Sequence, residues 1–356
     1  MAPVWSMVVA STVIFHLMEP VLGFWRMSCS VAQMGRVDPV ISFGDVSQHV
    51  HKISGASNIN INSTYDSLVA APCTSCQIQA DKSAYWNPQL YYLHANGKYE
   101  EVYNGGMAVY YLGRGMDGAG GTKASPFPKG IKFLSGNNNA RPYDANTMTY
   151  GTQRIQMFLL QTELRLRVST TTIQSRKLIT CRTPTDGLRA QIDFQSCWDG
   201  VNLYNADQSH VAYLSQIDNG ICPPTHPILL PHIFIEVLYS TGDINQDGGK
   251  FVFANGDETG YGFHGDFING WDIPTLTSAI DDCLLGVESG VVEKCPAFLP
   301  SDDTNFAVTC PETSPVYSCE PVHGMIDKLP GCITPTGFDH IEQPSDNTWS
   351  VFKYTF

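Results

Sequence analysis

Short apolar and aromatic runs, separated by turn-forming residues, make up most of this chain. The run at 89–93 is followed by Asn96-Gly97, and the run at 107–112 by a glycine-rich stretch at 113–121. Alternating Tyr and Val with Asn-Gly breaks is typical of a β-hairpin. Further runs at 191–194, 233–239 and 250–254 indicate more strands, and the 31 Gly and 22 Pro supply turns.

One segment alone, 274–285, has a helical pattern. Asp272 is placed to cap it, and Leu276, Ile280 and Leu284 are spaced to share one face. Many strands and few helices favour a mainly β fold. We therefore predict an antiparallel β-sandwich or jelly-roll-like domain with long disulfide-tied loops.

Composition narrows the classes of protein. Hydrophobic residues are 43% and charged residues 15% of the 356, which excludes a chain disordered by charge repulsion. The formal net charge is -13, so nucleic acid is excluded as an expected partner, because its binding depends on cationic side chains.

The N-terminus predicts secretion. Residues 4–15 are an uncharged run of the length found in signal peptides, and Val21 and Gly23 suit cleavage before Phe24. The run is too short to cross a hydrocarbon core of about 30 Å. We predict a signal peptide at 1–23, no membrane span in the mature form, and an extracellular location that includes the cell wall.

Eleven cysteines agree with an oxidising compartment, where scattered cysteines usually form disulfides. The odd number leaves at least one thiol unpaired or bonded to another chain. A zinc half-site at Cys73 and Cys76 is the alternative, although no second CxxC accompanies it. Asn62-Ser63-Thr64 is a sequon for N-glycosylation and predicts that Asn62 lies at the surface.

Composition also divides the chain. We predict one β domain over 24–295 and an extended Cys/Pro-rich cover over 296–356. Within the domain, 157–182 carries five basic residues and one acid, unlike its surroundings. It is either a surface excursion or the product of an error in the exon structure.

Nine ordered motifs resemble those of a known family. They are FWRMSC at 24–29, GDVSQHVH at 44–51, CTSC and DKSAYW within 73–86, DGLRAQ at 186–191, SCWDG at 196–200, IDNG and CPPTHP within 217–227, and YGFHGDFINGWD at 261–272. Together they closely resemble the fungal secreted family called domain of unknown function 1996, over roughly 24–300. The resemblance implies an extracellular fungal protein but no reaction; the pattern is broken at 157–182, so the pairing of Cys181 is not implied.

Histidines and carboxylates form the candidate site. His49 and His51 are two residues apart, which on a strand places them on one face about 6.6 Å apart. His264 and Asp266 repeat this spacing. His49, His51 and His264 are candidate ligands for a divalent metal ion. Asp199 and Asp266 are candidate acid and base groups for glycoside hydrolysis, although Asp199-Gly200 also suits an ordinary turn.

Cations and aromatic residues complete the candidate site. Lys82 and Arg189 are placed to stabilise negative charge. The expected stacking surfaces for sugar rings are Tyr85, Trp86, Trp198, Tyr261 and Trp271, for each of which core packing is the alternative role. GxSxG, HExxH and Walker-type motifs are absent from the sequence.

The leading hypothesis is a secreted carbohydrate-active protein, a glycoside hydrolase or another enzyme that cleaves polysaccharide. Three alternatives stay open: a non-catalytic protein that binds cell-wall glycan, a secreted metal-binding protein, and a tailoring enzyme of secondary metabolism. The oligomeric state has no signal in the sequence.

Overall fold

The structure is a computed structural model that describes residues 23–116, 122–141, 187–216, 219–284, 289–314 and 320–336, with the backbone of 155–160 and 174–175. The predicted signal peptide up to residue 22 lies outside the described residues, as do Cys181 and Cys319. Most of the atypical segment 157–182 also lies outside them, apart from strand backbone.

Eighteen strands are formed by the described residues. They are β1 (Phe24–Cys29), β2 (Gln33–Gly35), β3 (His51–Gly55), β4 (Ala84–Pro88), β5 (Leu90–Leu93), β6 (Tyr99–Glu101), β7 (Met107–Leu112), β8 (Lys132–Gly136), β9 (Ile155–Leu160), β10 (Gln174–Ser175), β11 (Gly187–Asp193), β12 (Cys197–Trp198), β13 (Val211–Ala212), β14 (Ile228–Leu229), β15 (His232–Tyr239), β16 (Lys250–Phe253), β17 (His264–Ile268) and β18 (Met325–Ile326).

These strands form four sheets. A six-stranded sheet has the order β1-β7-β15-β11-β9-β10, and a five-stranded sheet has the order β2-β3-β4-β17-β8. Two smaller sheets have the orders β16-β5-β6-β18 and β13-β12-β14. Every strand pair in the described sheets is antiparallel, which confirms the predicted fold class.

The two larger sheets pack face to face around the main core. Gly265 on β17 lies so close to the opposite sheet that a Cβ there would be 3.0 Å from Ile192 Cγ2. Asn87 on β4 donates a hydrogen bond of 2.7 Å to Tyr239 Oη on β15. Large aromatic side chains from both sheets, including Trp25 on β1, join one buried cluster. This packing gives the sandwich its apolar interior.

Helices are few in the described residues, as the sequence predicts. They are α1 (Tyr65–Val69), α2 (Ile273–Cys283) and α3 (Phe306–Thr309), with 3-10 turns at Thr241–Asp243, Val292–Lys294 and Pro296–Ser301. Helix α2 is the predicted one. The Asp272 side chain caps it by accepting from Thr275 N at 3.0 Å, and Leu276 and Ile280 are buried on its inner face.

The predicted hairpin differs in its second strand. The Asn96-Gly97 turn is present, but β5 pairs with β6, while β7 lies in the six-stranded sheet between β1 and β15. The run at 107–112 has the stronger strand pattern. Its alternate residues, such as Val109 and Tyr111, are buried in the main core, so it belongs to the larger sheet.

Four disulfides link the described residues: Cys29–Cys76, Cys73–Cys310, Cys197–Cys222 and Cys283–Cys295. The zinc half-site considered for Cys73 and Cys76 is therefore wrong, since each sulfur is bonded to a different distant cysteine. Cys332 is a free, exposed thiol. None of the helices in the described part of the chain has the length and apolar character needed to span a bilayer.

The described C-terminal residues attach to the β domain at several points. Strand β18 pairs with β6, Cys310 bonds to Cys73, and Thr336 N donates to Gly256 O at 2.8 Å. Through these contacts, the described residues after 296 pack against the β domain.

Candidate functional site

The five-stranded sheet has one face in the main core and one face that carries the candidate site. Tyr85, Phe133 and Phe267 point into the main core. Side chains alternate along a strand, so His264 and Asp266 on β17 share the opposite face. That face is covered by residues 36–50 and by a second buried cluster that includes Ile53 and Trp86.

Three histidines meet on this face. His264 Nε2 lies 3.1 Å from His49 Nε2 and 3.3 Å from His51 Nε2. Their exposed fractions are 5% for His49, 0% for His51 and 2% for His264. The sequence spacing anticipated the pairing of His49 with His51, whose ring centroids are 4.3 Å apart. His49, however, lies just before β3 rather than in it, and the site is buried rather than an open cleft.

Backbone carbonyls orient two of the three rings. His51 Nδ1 donates to Val37 O at 3.0 Å, and His264 Nδ1 donates to Gly262 O at 2.9 Å. The carbonyl of Gly262 also accepts from Asn255 Nδ2 at 2.9 Å. Because a carbonyl oxygen only accepts, each Nδ1 carries the proton and each Nε2 presents a lone pair.

The loop before β17 is shaped by Asp257. Its Oδ1 accepts from Thr259 N, and its Oδ2 accepts from Gly262 N at 2.7 Å. A Cβ at Gly262 would lie 2.6 Å from a terminal nitrogen of Arg141, which would have to move, and 3.0 Å from the backbone oxygen of Asn138. Asp257 and Gly262 therefore fix the position of the Gly262 carbonyl, which in turn orients the His264 ring.

His49 is positioned by a clasp across the covering segment. Arg36 Nε donates to Ser47 O at 2.6 Å, and Ser47 N donates to Arg36 O at 3.1 Å. Ser47 Oγ then accepts from His49 N at 3.4 Å. The clasp closes the loop between β2 and β3, which brings His49 over His51.

The electrostatics of the site keep the three imidazoles neutral. Burial lowers the pKa of His264 to about 4. Burial, followed by the charges of the other two histidines, lowers the pKa of His49 well below its ordinary value. His51 has its pKa lowered in the same way by burial and by His264. Neutral imidazole is the form that binds metal ions.

Asp266 is the second unusual group on this face. It is 0% exposed, and neither carboxylate oxygen has a hydrogen-bond partner among the residues described. Burial, together with the charge of Asp38, raises its pKa well above the ordinary value. Asp38 is also buried, and its Oδ1 accepts from Val40 N and Ile41 N at 3.1 Å.

Three residues near Asp266 were not identified from the sequence: Asp38, Lys132 and Tyr204. Lys132 Nζ donates to Pro39 O at 2.8 Å and lies 4.7 Å from the Phe43 ring centroid and 5.9 Å from that of Tyr204. The pKa of Lys132 is lowered by burial. Their assembly depends on the pairing of β8 with β17, for which the sequence carries no signal.

The other predicted polar residues lie elsewhere. Lys82 Nζ donates to the carbonyls of Val69 and Ala71 at 3.2 and 2.6 Å. Arg189 forms an ion pair of 3.1 Å with Glu236 on the six-stranded sheet. Asp199 accepts in a surface turn from Val201 N and Asn202 N. These contacts fasten loops and strands, and they do not reach the three histidines.

The predicted aromatic residues divide into buried and partly exposed sets. Tyr85, Trp86 and Trp271 are 0% exposed. Tyr85 and Trp271 belong to a hydrogen-bonded group in the main core. Trp271 Nε1 donates to Tyr111 Oη at 2.8 Å, and the hydroxyls of Tyr85 and Tyr111 are hydrogen-bonded to each other. Trp198 and Tyr261 are partly exposed, and Trp198 Nε1 donates to Asn202 O at 2.6 Å. Trp86 alone of the five lies opposite Asp266 on the adjacent strand. Asn62 is exposed.

A serine, a histidine and an aspartate also meet at another place. His232 Nδ1 lies 2.7 Å from Ser196 Oγ, and His232 Nε2 lies 3.0 Å from Asp193 Oδ1. Ser196 is 0% exposed and His232 is 1% exposed. With both ring nitrogens bonded and the hydroxyl enclosed, this group joins β11 to β15 as a buried structural bridge.

Comparison with known proteins gives one match. The family described as "Domain of unknown function (DUF1996)" matches residues 38–271, a stretch that contains all three histidines, Asp38 and Asp266. No curated protein and no solved structure matches the chain. Because the matched stretch is about two thirds of the 356 residues, this chain belongs to the DUF1996 family.

Proposed function

We propose that this protein is a secreted fungal metalloprotein that binds one divalent transition-metal ion through the Nε2 atoms of His49, His51 and His264, and that it uses this ion to cleave polysaccharide. One observation carries the proposal. Three neutral imidazoles direct their Nε2 atoms to a common point inside the protein.

The protonation pattern favours a cation at that point. His51 and His264 each carry a proton on Nδ1, so their Nε2 lone pairs face each other across 3.3 Å. Facing lone pairs repel, and burial opposes protonation of either ring. A metal ion at this point would accept both lone pairs, and His49 Nε2, 3.1 Å from His264 Nε2, would be its third ligand. The carbonyl partners on Nδ1 are also the second-sphere contacts that metal-binding histidines usually have.

The distances suit a small tetrahedral ion. With Zn–N bonds of about 2.0–2.1 Å, tetrahedral geometry separates two ligand nitrogens by about 3.3 Å. His264 Nε2 lies 3.1 Å from His49 Nε2 and 3.3 Å from His51 Nε2, and the three ligand atoms all lie within 4.8 Å of one another. Three protein ligands leave a fourth position for water or substrate, as in catalytic zinc sites. An ion held in this way supplies a bound water that ionises near neutral pH.

Secretion and a glycan substrate rest on separate support. Four disulfides are typical of proteins from oxidising compartments, and the uncharged run at 4–15 has the length of a signal peptide. A carboxylate and an aromatic side chain next to the histidines are the groups that recognise sugars. The non-catalytic glycan-binding role predicts the same partner without a product.

Metal analysis tests the centre. Protein purified from a secreting host without a histidine tag is expected to contain about one metal ion per chain by elemental analysis. His264→Ala is expected to lose the ion, while His226→Ala, a change in a histidine outside the centre, keeps it. Melting curves of both variants show whether each is folded. A native content below about 0.1 ion per chain would end the proposal.

Product analysis tests the reaction. Metal-loaded protein is incubated with fungal and plant glycans, and soluble products are separated and weighed by mass spectrometry. Products that appear with the wild type and disappear with His264→Ala or with a chelator support cleavage. Glycan retention in affinity electrophoresis without any product would instead assign a binding role.

A further inference from the structure

Two buried polar groups without partners lie side by side next to the three histidines. Asp266 on β17 is directly opposite Trp86 on β4, and both are 0% exposed. Within the described part of the chain, neither oxygen of Asp266 nor Trp86 Nε1 has a hydrogen-bond partner. Native structures rarely leave such groups unsatisfied. An unpaired acceptor and an unpaired donor at one place therefore require an explanation.

The surroundings offer no substitute partner. Ile53 is opposite Trp86 on β3, and Leu134 is opposite Asp266 on β8. Val37 and Val40 belong to the same buried cluster. An acceptor and a donor are thus flanked by apolar side chains of the adjacent strands, on the sheet face that carries His264 two residues away. The polar residues nearby, Asp38, Lys132 and Tyr204, form no hydrogen bond with either group within the described residues.

The chemistry of the two groups selects the ligand. A cation would satisfy the carboxylate but not the indole N–H, and an anion would do the reverse. A hydroxyl satisfies both, since it accepts from Nε1–H and donates to the carboxylate. Directly opposite residues in an antiparallel pair have Cβ atoms about 4.5–5.5 Å apart, so one hydroxyl can bridge them.

We propose that Asp266 and Trp86 form a hydroxyl-binding position that takes an alcohol group of the substrate beside the three-histidine centre. This inference rests on the proposed function, because it names the substrate class of the same site as a polyol such as a sugar. Water carries the same hydroxyl chemistry, and the experiment below separates the two sources.

The side of entry follows from exposure. Tyr204 packs against the buried cluster and is itself partly exposed. Lys132 lies beside the Tyr204 ring and is also partly exposed. Because Asp266 and Trp86 are covered, a sugar hydroxyl reaches them when the covering segment near Asp38 moves away from these two residues.

The indole N–H of Trp86 is the direct probe. A proton–nitrogen NMR spectrum of 15N-labelled protein gives one indole signal for each tryptophan, and Trp86→Phe identifies that of Trp86. Glycerol, methyl β-glucopyranoside and a β-linked glucan oligomer are then titrated in turn. We expect at least one of them to shift the Trp86 signal in a saturable manner.

Trp25 provides the matched control. Its Nε1 is also buried without a partner among the described residues, but it lies in the main core. The Trp25 signal is expected to stay constant, and Trp25→Phe to leave saccharide affinity unchanged. Asp266→Asn is expected to weaken that affinity about tenfold, the effect of losing one buried hydrogen bond to the alcohol.

Two outcomes would overturn the inference. The first is a Trp86 signal that responds to none of the three alcohols and shows a cross-peak to water, which would make the position a buried-water site. The second is an Asp266→Asn variant that binds the saccharide as tightly as the wild type. Elemental analysis of the protein as purified and a repeat of the titration on metal-free protein separate the two proposals. A Trp86 response in protein that contains no metal as purified keeps the hydroxyl position and removes the metal centre.

Discussion

Three fully or nearly fully buried aspartates differ in their hydrogen-bond donors. Asp257 accepts from two backbone N–H groups and the Thr259 hydroxyl, and it shapes the loop before β17. Asp81 accepts from Ser83 N and from Tyr85 Oη in the main core. Asp266 has no donor within the described residues. The first two therefore have structural roles, and the third is the one whose environment fits a ligand.

Asp81 gives a pH-dependent prediction. Burial raises its pKa to about 6, against the opposing bonds from Ser83 and Tyr85. The folded state binds this proton more tightly than the unfolded chain does. Its stabilising contribution is therefore complete below the unfolded pKa near 3.8 and is lost as the pH rises through about 6. The loss amounts to about 2.4 kcal/mol between pH 4 and 7.

Asp81→Asn replaces the titrating carboxyl group with an amide that does not titrate. The measurement is urea unfolding of the variant and the wild type at pH 4 and at pH 7. We expect the variant to gain stability relative to the wild type by up to about 2.4 kcal/mol from pH 4 to 7. Other titrating groups cancel in the difference. Asp199→Asn, in a surface turn, is the matched control. A difference between Asp81→Asn and wild type that does not change with pH would contradict the pKa assigned to Asp81.

Individual strands could be located from the sequence, but their neighbours could not. The spacing of His49 and His51 indicated a shared direction, and YGFHGDFINGWD at 261–272 indicated a functional segment. That His264 meets them follows from the order β3-β4-β17, which joins segments about 200 residues apart. Period-2 patterns give the face of a strand and not its partner, so Lys132 on β8 carried no signal.

The fit between β3 and β4 can be tested at Gly55. This residue ends β3 with a φ of 109°, and a Cβ there would lie 1.8 Å from Ser83 O. Gly55→Ala is expected to lower the free energy of unfolding by more than about 2 kcal/mol, because the backbone must shift. Since β3 also carries His51, we expect the metal affinity to fall as well.

Gly97→Ala is the control for backbone conformation alone. Gly97 has a φ of 84° but nothing within 4 Å of its added Cβ. Its expected cost is about 1 kcal/mol, the strain of a left-handed alanine. Denaturant unfolding measures both variants, and equal losses would mean that the close approach at Gly55 has no effect of its own.

At the scale of the molecule, composition and cysteine content predicted more of the structure than the motifs did. The turn-rich pattern predicted the antiparallel class, and the cysteines predicted disulfides. Pairings such as Cys73–Cys310 were beyond reach, because eight bonded cysteines are compatible with about 105 connectivities. Lys82, Arg189 and Asp199 stand in motifs on which the resemblance to the family was based, yet their contacts are with loops and neighbouring strands. No local pattern distinguishes such structural contacts from a functional site.

The disulfide between Cys73 and Cys310 ties the C-terminal stretch to the start of the domain. It spans 237 residues, whereas Cys283–Cys295 spans 12. A cross-link that closes a longer loop restricts the unfolded chain more, by about 5 kcal/mol for the long loop and about 3 kcal/mol for the short one in the chain-entropy description. Replacing both cysteines of each pair by alanine, followed by equilibrium urea unfolding, is expected to show the larger loss for the long-range pair. If the Cys283–Cys295 variant lost as much stability, the C-terminal stretch would be held by β18 and its backbone contacts rather than by the disulfide.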